Sequence, residues 1–235
     1  METCGRRSLW RSFVLLSAVL VTLTIVVPSL PSLRQVPALL AGFGTAYFLL
    51  IGLAFMFVEI GLIQRIGVFL GHPVYGLAIG LFGIIISTGI GSLLGSRLRL
   101  LSSARLLLWV AILGLYLILL PFWFPVLIAN FASAGLAMRA AVSFTAIIPS
   151  GILMGFGFPT GMEIVNAIDS RPTPWFWAVN GAAGVLAAGL AVAFSIEFSI
   201  TATLWLGAAC YLLLGPVAVS LCRNHSTNRV AVTVA

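Results

Sequence analysis

Lysine is absent from this 235-residue chain, and acidic residues number only five. Charged residues make up 7% of the total, against about 25% in an ordinary soluble domain. A core of this size in water would need far more polar surface, so a soluble globular protein is excluded. Cysteine is scarce too: Cys4, Cys210 and Cys222 have the spacing of neither a disulfide framework nor a metal site. Cys210 is expected to pack as a small apolar residue, while Cys4 and Cys222 lie near membrane edges, the setting acylation requires. Enzyme signals are missing as well. There is no Gly-x-Ser-x-Gly, no phosphate loop and no His/Cys/Asp/Glu cluster at ligand spacing. Gly42-Phe43-Gly44 opens an apolar helix rather than following a soluble strand, so it is no dinucleotide fingerprint. The expectation is no catalysis, no metal and no cofactor.

What is present is apolar: hydrophobic residues make up 61% of the chain. Seven runs between charged residues, 12–33, 35–58, 66–96, 106–138, 140–162, 172–196 and 198–222, each have at least 22 residues. About 20 apolar residues in a helix cross ~30 Å of hydrocarbon. In lipid each peptide group must be satisfied within its segment, so these runs should be helices. The expected fold is all-α, a polytopic transmembrane bundle of about seven spans near 12–30, 38–63, 73–96, 104–125, 138–160, 175–195 and 198–221. Residues 1–37 form an N-terminal transmembrane helix and connection, 38–221 a six-helix membrane bundle, and 222–235 a polar C-terminal tail. Arg6, Arg7 and Arg11 before an apolar run suggest a signal peptide, but the run is long and lacks a clean cleavage site, so it reads as a retained helix.

Proline punctuates the runs. Pro28, Pro31 and Pro37 break the first connection, Pro73 opens the third helix, Pro121 and Pro125 close the fourth, and Pro172 and Pro174 precede the sixth. The longest connections are then 126–137 and 161–174, too short for a domain. Trp10, Trp109, Trp123, Trp175 and Trp177 fall near the edges, as an interfacial belt requires.

The net charge of +7 reads as topology rather than nucleic-acid binding, because Arg residues flank the apolar runs. Alternate sides carry five and seven Arg. The richer side holds Arg34, Arg97, Arg99, Arg105, Arg171, Arg223 and Arg229, and the positive-inside rule makes it cytoplasmic.

Small residues form ridges. Gly83, Ser87, Gly91 and Gly95 recur every four residues on the third helix; Gly151 pairs with Gly155 and Gly157 with Gly161; Gly184 and Ala188 follow Asn180 on the sixth. Such ridges let helices approach closely in lipid.

Glu59 is the sharpest polar signal, a carboxylate inside an apolar helix. It must face the interior or a water-filled space, paired with Arg65, Asn180 or a backbone donor, or serve as a cation or proton site. Gln64, Arg65 and His72 follow around the apolar connection 66–71, which reads as an interfacial or re-entrant segment. His72 before Pro73 reads first as a cap, and Asn180 as an amide bonding across helices. Glu163, Asp169 and Arg171 share a solvated loop with local pairing, and Glu197 marks the last tight turn.

Three blocks carry a resemblance: Tyr47 to Ile60 continuing into Gln64-Arg65 and Phe69-Leu70-Gly71-His72-Pro73; Gly155-Phe156-Gly157-Phe158-Pro159-Thr160-Gly161; and Pro174-Trp175-Phe176-Trp177-Ala178-Val179-Asn180-Gly181-Ala182-Ala183. In this order, over about 38–221, they resemble the membrane portion of the fused major-facilitator/spermidine-synthase-like proteins. The soluble synthase domain of that family is absent, so the resemblance does not imply aminopropyl transfer. It implies a six-helix unit similar to half of a major-facilitator transporter, preceded by one helix. The positions matching the motifs are Glu59, Gln64, Arg65, His72, Pro159, Gly161, Trp177, Asn180 and Gly181.

Two functions follow. The first is a non-catalytic subunit of a larger membrane assembly, docking on partner membrane subunits or on its own copies. The alternative is a transporter-like half-unit for a small solute, a cationic one included, with Glu59 as cation or proton site. Either is an integral multi-pass protein in the lipid bilayer, expected in a bacterial inner membrane, with no nucleic-acid partner.

Overall fold

A computed structural model of the chain describes residues 15–33, 36–98 and 102–234, with side chains described as far as Cys222. Cys4, Arg6, Arg7, Trp10, Arg11, Arg34 and Arg99 lie outside the described residues, as do the side chains of Arg223 and Arg229. Among the described residues every regular element is helical. Seven helices are long and apolar enough to cross a bilayer. The chain is an all-helical, integral, multi-pass membrane protein.

We name α1 Leu15–Leu33, α2 Ala38–Leu70, α3 Pro73–Leu98, α4 Ser103–Asn130, α5 Leu136–Gly155, α6 Gly157–Asn166, α7 Thr173–Glu197 and α8 Ile200–Val234. Helices α5 and α6 together make one span, Leu136–Asn166. The apolar part of α8 ends at Cys222, and its backbone continues helical to Val234.

Several boundaries move outward from the sequence expectation. Helix α2 runs through 66–71 as regular helix to Leu70, so this stretch is neither re-entrant nor a loop. It stops at Gly71, whose φ of 78° is the left-handed conformation that glycine adopts without strain. Pro121 and Pro125 lie inside α4 instead of closing it, and α4 reaches Asn130. Pro28 likewise lies in helical backbone, Pro31 in a closing 3-10 turn, and Pro174 in the first turn of α7. The turns actually formed, 131–135 and 167–172, are shorter than expected. In hydrocarbon, leaving the helix exposes peptide groups with no water to bond, so continuing it past a proline costs less.

Helix α2 is the axis of the bundle; 56% of its apolar window is buried, more than in any other described span. It packs on α7 and α8, with α3 beside it; α3 packs on α5, and α4 on α8 and α5. Thus α2–α4 and α5–α8 form two three-crossing sets that run in opposite directions across the membrane. Helix α1 leans on α7 and buries little.

The third-helix ridge is consumed inside the chain. Gly83 faces Phe144 and Ile147, Ser87 faces Gly151, Gly91 faces the Ile152 backbone, and Gly155 faces the Thr88 carbonyl and Gly91. Gly95 meets Phe156, Gly157 meets Ile51 and Trp109, and Gly161 meets the Tyr47 ring. Gly184 and Ala188 depart from the packing expectation. They face a cavity, while Ala183, Ala187 and Ala191 on the same helix are the residues buried against α2. Two of the tryptophans near the edges turn into the bundle. Trp109 and Trp175 are buried, their indole N–H groups donating to Leu153 O at 2.8 Å and Thr45 Oγ1 at 2.7 Å. Cys210 is buried and free, as expected of an apolar filler.

Candidate functional site

The bundle carries a cavity of about 830 Å³ walled by α2, α3, the α5–α6 joint and α7. It reaches the middle of the membrane: Phe55 is near the centre of α2, and Gly184 and Val185 are near the centre of α7. Its back is the joint itself. Helix α5 ends at Gly155 and α6 restarts at Gly157, leaving Phe156 between them. The Tyr47 hydroxyl donates to the Gly157 carbonyl at 2.8 Å and pins the joint to α2. Phe158 then stacks edge-on against Trp177, ring centroids 4.4 Å apart. The mouth lies between α3 and α7, where Ile85, Trp177 and Val185 are each more than half exposed.

The polar groups on the wall include Thr88, Ser92 and Asn180, and no lining residue is charged. Asn180 donates Nδ2–H to the Phe48 carbonyl at 3.2 Å, the interhelical bond the sequence suggested. The side-chain oxygen Oδ1 of Asn180 has no donor among the described residues. Thr88 returns its hydroxyl proton to the Ile84 carbonyl at 2.8 Å, leaving its oxygen as an acceptor. Such a wall suits a mostly apolar molecule with one or two polar groups. It gives no counter-charge to a cation.

The five candidate polar residues do not form one site. Asn180 lies on the cavity wall. Glu59 is one turn beyond Phe55 on the same face of α2, is 6% exposed, and is not part of the wall. Because α2 continues to Leu70, Glu59 sits deeper than its place in a shorter helix suggests. Its expected partners are engaged elsewhere: Arg65 Nη2 donates to Thr201 Oγ1 at 2.6 Å, and Asn180 to Phe48. Among the described residues none hydrogen-bonds Glu59. Gln64 borders a second cavity of about 620 Å³, and its carbonyl oxygen is buried without a donor. His72 is exposed and accepts from the Val74 N–H at 3.2 Å, so it caps α3. Arg139 donates to the Phe69 carbonyl at 3.1 Å and ties α5 to the end of α2.

Four motif-matching positions do converge: Pro159, Trp177, Asn180 and Gly181 all line the large cavity. Gly161 sits behind it against Tyr47. Sequence reasoning missed Thr88 and Ser92 and the facing roles of α3 and α7. A signal existed. Pro73 precedes Gly80 and Gly83 by the same intervals as Pro174 precedes Gly181 and Gly184, and these helices flank the mouth.

Glu163 is on α6 rather than in a loop, beside a small cavity of about 310 Å³. Asp169 and Arg171 remain in the turn, paired at 2.7 Å as expected. The Arg171 hydrogen bonds hold the Asp169 carboxyl below its ordinary range.

No protein-family model, no curated protein and no solved structure matches this chain.

Proposed function

We propose that this chain is a non-catalytic, transporter-like half-unit that takes a small, uncharged, mostly apolar solute into the cavity between α2, α3, α5–α6 and α7. The observation that carries this reading is a mid-membrane cavity of about 830 Å³ with no charged lining residue. The motif blocks that resemble the major-facilitator/spermidine-synthase-like membrane domain support it, because their later residues meet at this wall. The chargeless wall replaces the cationic solute with a neutral one. The small-residue ridges are used in packing within the chain, which weighs against their serving to dock a partner. The mouth stays open on one side, so a second copy or a partner membrane subunit completes the unit, and the subunit role and the solute role join in one assembly. The proposed location is a bacterial inner membrane, with the Arg97 and Arg105 side cytoplasmic.

The test is photolabelling in detergent with a neutral diazirine-bearing alkyl alcohol. Labelling should saturate, concentrate on 154–159 and 177–188, and be competed by the unlabelled alcohol. Gly181→Trp should abolish it while leaving the fold intact, since nothing lies within 4 Å of a Cβ at Gly181. Unsaturable labelling spread evenly over the lipid-facing sides of α3 and α4 sinks the reading.

A further inference from the structure

Resting on the solute reading above, we propose that the solute is a neutral, hydroxyl-headed lipid, lying parallel to the lipids of the leaflet on the Arg97 side. The large cavity does not end at Pro159. Pro159 also borders the small cavity of about 310 Å³, whose other walls are Gly95, Ser96, Thr160 and Glu163. On α3, Ser92 lines the large cavity and Ser96, one turn on, lines the small one. The two spaces therefore follow one another along the same pair of helices, toward the end where α3 stops at Leu98 and α6 at Asn166.

The two spaces differ in chemistry as the two parts of a lipid do. The large one is walled mainly by apolar side chains, with Thr88, Ser92 and Asn180 the polar exceptions. The small one carries a carboxylate and two hydroxyls on five residues. Ser96 donates to the Leu93 carbonyl at 2.8 Å, which leaves its oxygen to accept. Thr160 is only 2% exposed. Among the described residues none hydrogen-bonds or pairs with Glu163. Ser96 and Glu163 stand in the last turns of α3 and α6, at the level of the headgroups, while the large cavity lies at the level of the hydrocarbon. A molecule lying as a lipid lies meets a wall of matching polarity along its whole length.

Length and charge narrow the class. Along α7 the large cavity runs from Trp177 to Ala188, roughly 16 Å at 1.5 Å per residue. That is about one leaflet's share of a ~30 Å hydrocarbon core. An extended chain advances about 1.2 Å per bond, so a tail of about a dozen carbons reaches the end of the cavity. A phosphate or carboxylate head would face the Glu163 carboxylate and be repelled. Arg97, Arg105 and Arg171 stand at the same end of the bundle, outside the wall, and their field opposes a cationic head. A hydroxyl head avoids both costs. It donates to the Glu163 carboxylate and accepts from the Thr160 hydroxyl.

The experiment uses the full chain in phosphatidylcholine nanodiscs with two monolauroylglycerol probes, one carrying a diazirine beside the ester and one at the chain end. Labelled residues are mapped by peptide mass spectrometry. The first probe should label 95–96 and 159–163, the second 184–188, and both should saturate. Lauric acid and dodecylamine should each need about tenfold more than monolauroylglycerol to compete. Glu163→Leu should raise the half-saturating concentration about tenfold, the loss of one charge-assisted hydrogen bond, and Glu163→Gln should recover part of it. The inference is overturned if both probes label the same residues, if the acid or the amine competes as well as the glyceride, or if Glu163→Leu binds as the wild type does. Saturable labelling by the short alcohol in the same nanodiscs shows that the proposed function survives such a failure; loss of that labelling too sinks both.

Discussion

Gly89 and Gly91 are two residues apart on α3 and face opposite ways. A Cβ on Gly91 would strike the Ile152 backbone, which cannot move aside, whereas one on Gly89 meets nothing within 4 Å. Gly91→Ala should destabilise the protein by about 1–3 kcal/mol through overpacking. Gly89→Ala should be neutral or stabilise by up to about 1 kcal/mol, the helix preference of Ala over Gly. Thermal unfolding in detergent separates the pair. The four-residue ridge was plain in the sequence. Which glycine touches backbone was not, because that depends on where α5 lies. Asp169 offers a test outside the membrane. Its pKa is depressed, mainly by the hydrogen bonds from Arg171, so whatever stability the pair adds is present above the unfolded carboxyl pKa and is lost as pH falls through the lower folded value. A carbon-13 NMR titration should place the Asp169 carboxyl below the ordinary aspartate range, and Arg171→Gln should return it upward. The pair is exposed, so high salt should weaken the effect.

At the scale of elements, the α5–α6 joint matters most. Tyr47 is its bolt. Tyr47→Phe strips the Gly157 carbonyl of its donor and should cost about 1–2 kcal/mol. Hydrogen exchange should rise at 155–161 more than in α4. Equal exchange across both would show that the joint is held by packing alone. The sequence showed Gly155-Phe156-Gly157 as a small-residue cluster and could not show a break, since the interruption answers to a tyrosine more than a hundred positions earlier. The prolines carry the opposite lesson. Pro121 and Pro125 read as a helix end because a proline in a water-exposed helix usually ends it. In α4 they are internal, since lipid penalises an unbonded backbone more than a proline does.

Across the whole molecule, the single span Leu136–Asn166 between them places the turns 131–135 and 167–172 on opposite sides of the bilayer. In a chain with Cys4, Cys210 and Cys222 changed to Ala, Ser133→Cys and Ser170→Cys should react with a membrane-impermeant maleimide from opposite faces. Reaction from one face would mean six or eight crossings and would overturn the bundle described above. The proposed orientation adds that Ser170→Cys is reached from the cytoplasm. Composition by itself determined the solvent, the helical class and the approximate number of spans, because the cost of an unsatisfied peptide group in hydrocarbon is local to each segment. It also marked Glu59 and Asn180 as residues needing an explanation. Only the tertiary structure decided that Asn180 lines a cavity and Glu59 does not. Those outcomes depend on which faces of α2, α7 and α8 meet, and in helices apolar on every side the sequence carries no polar stripe to say so.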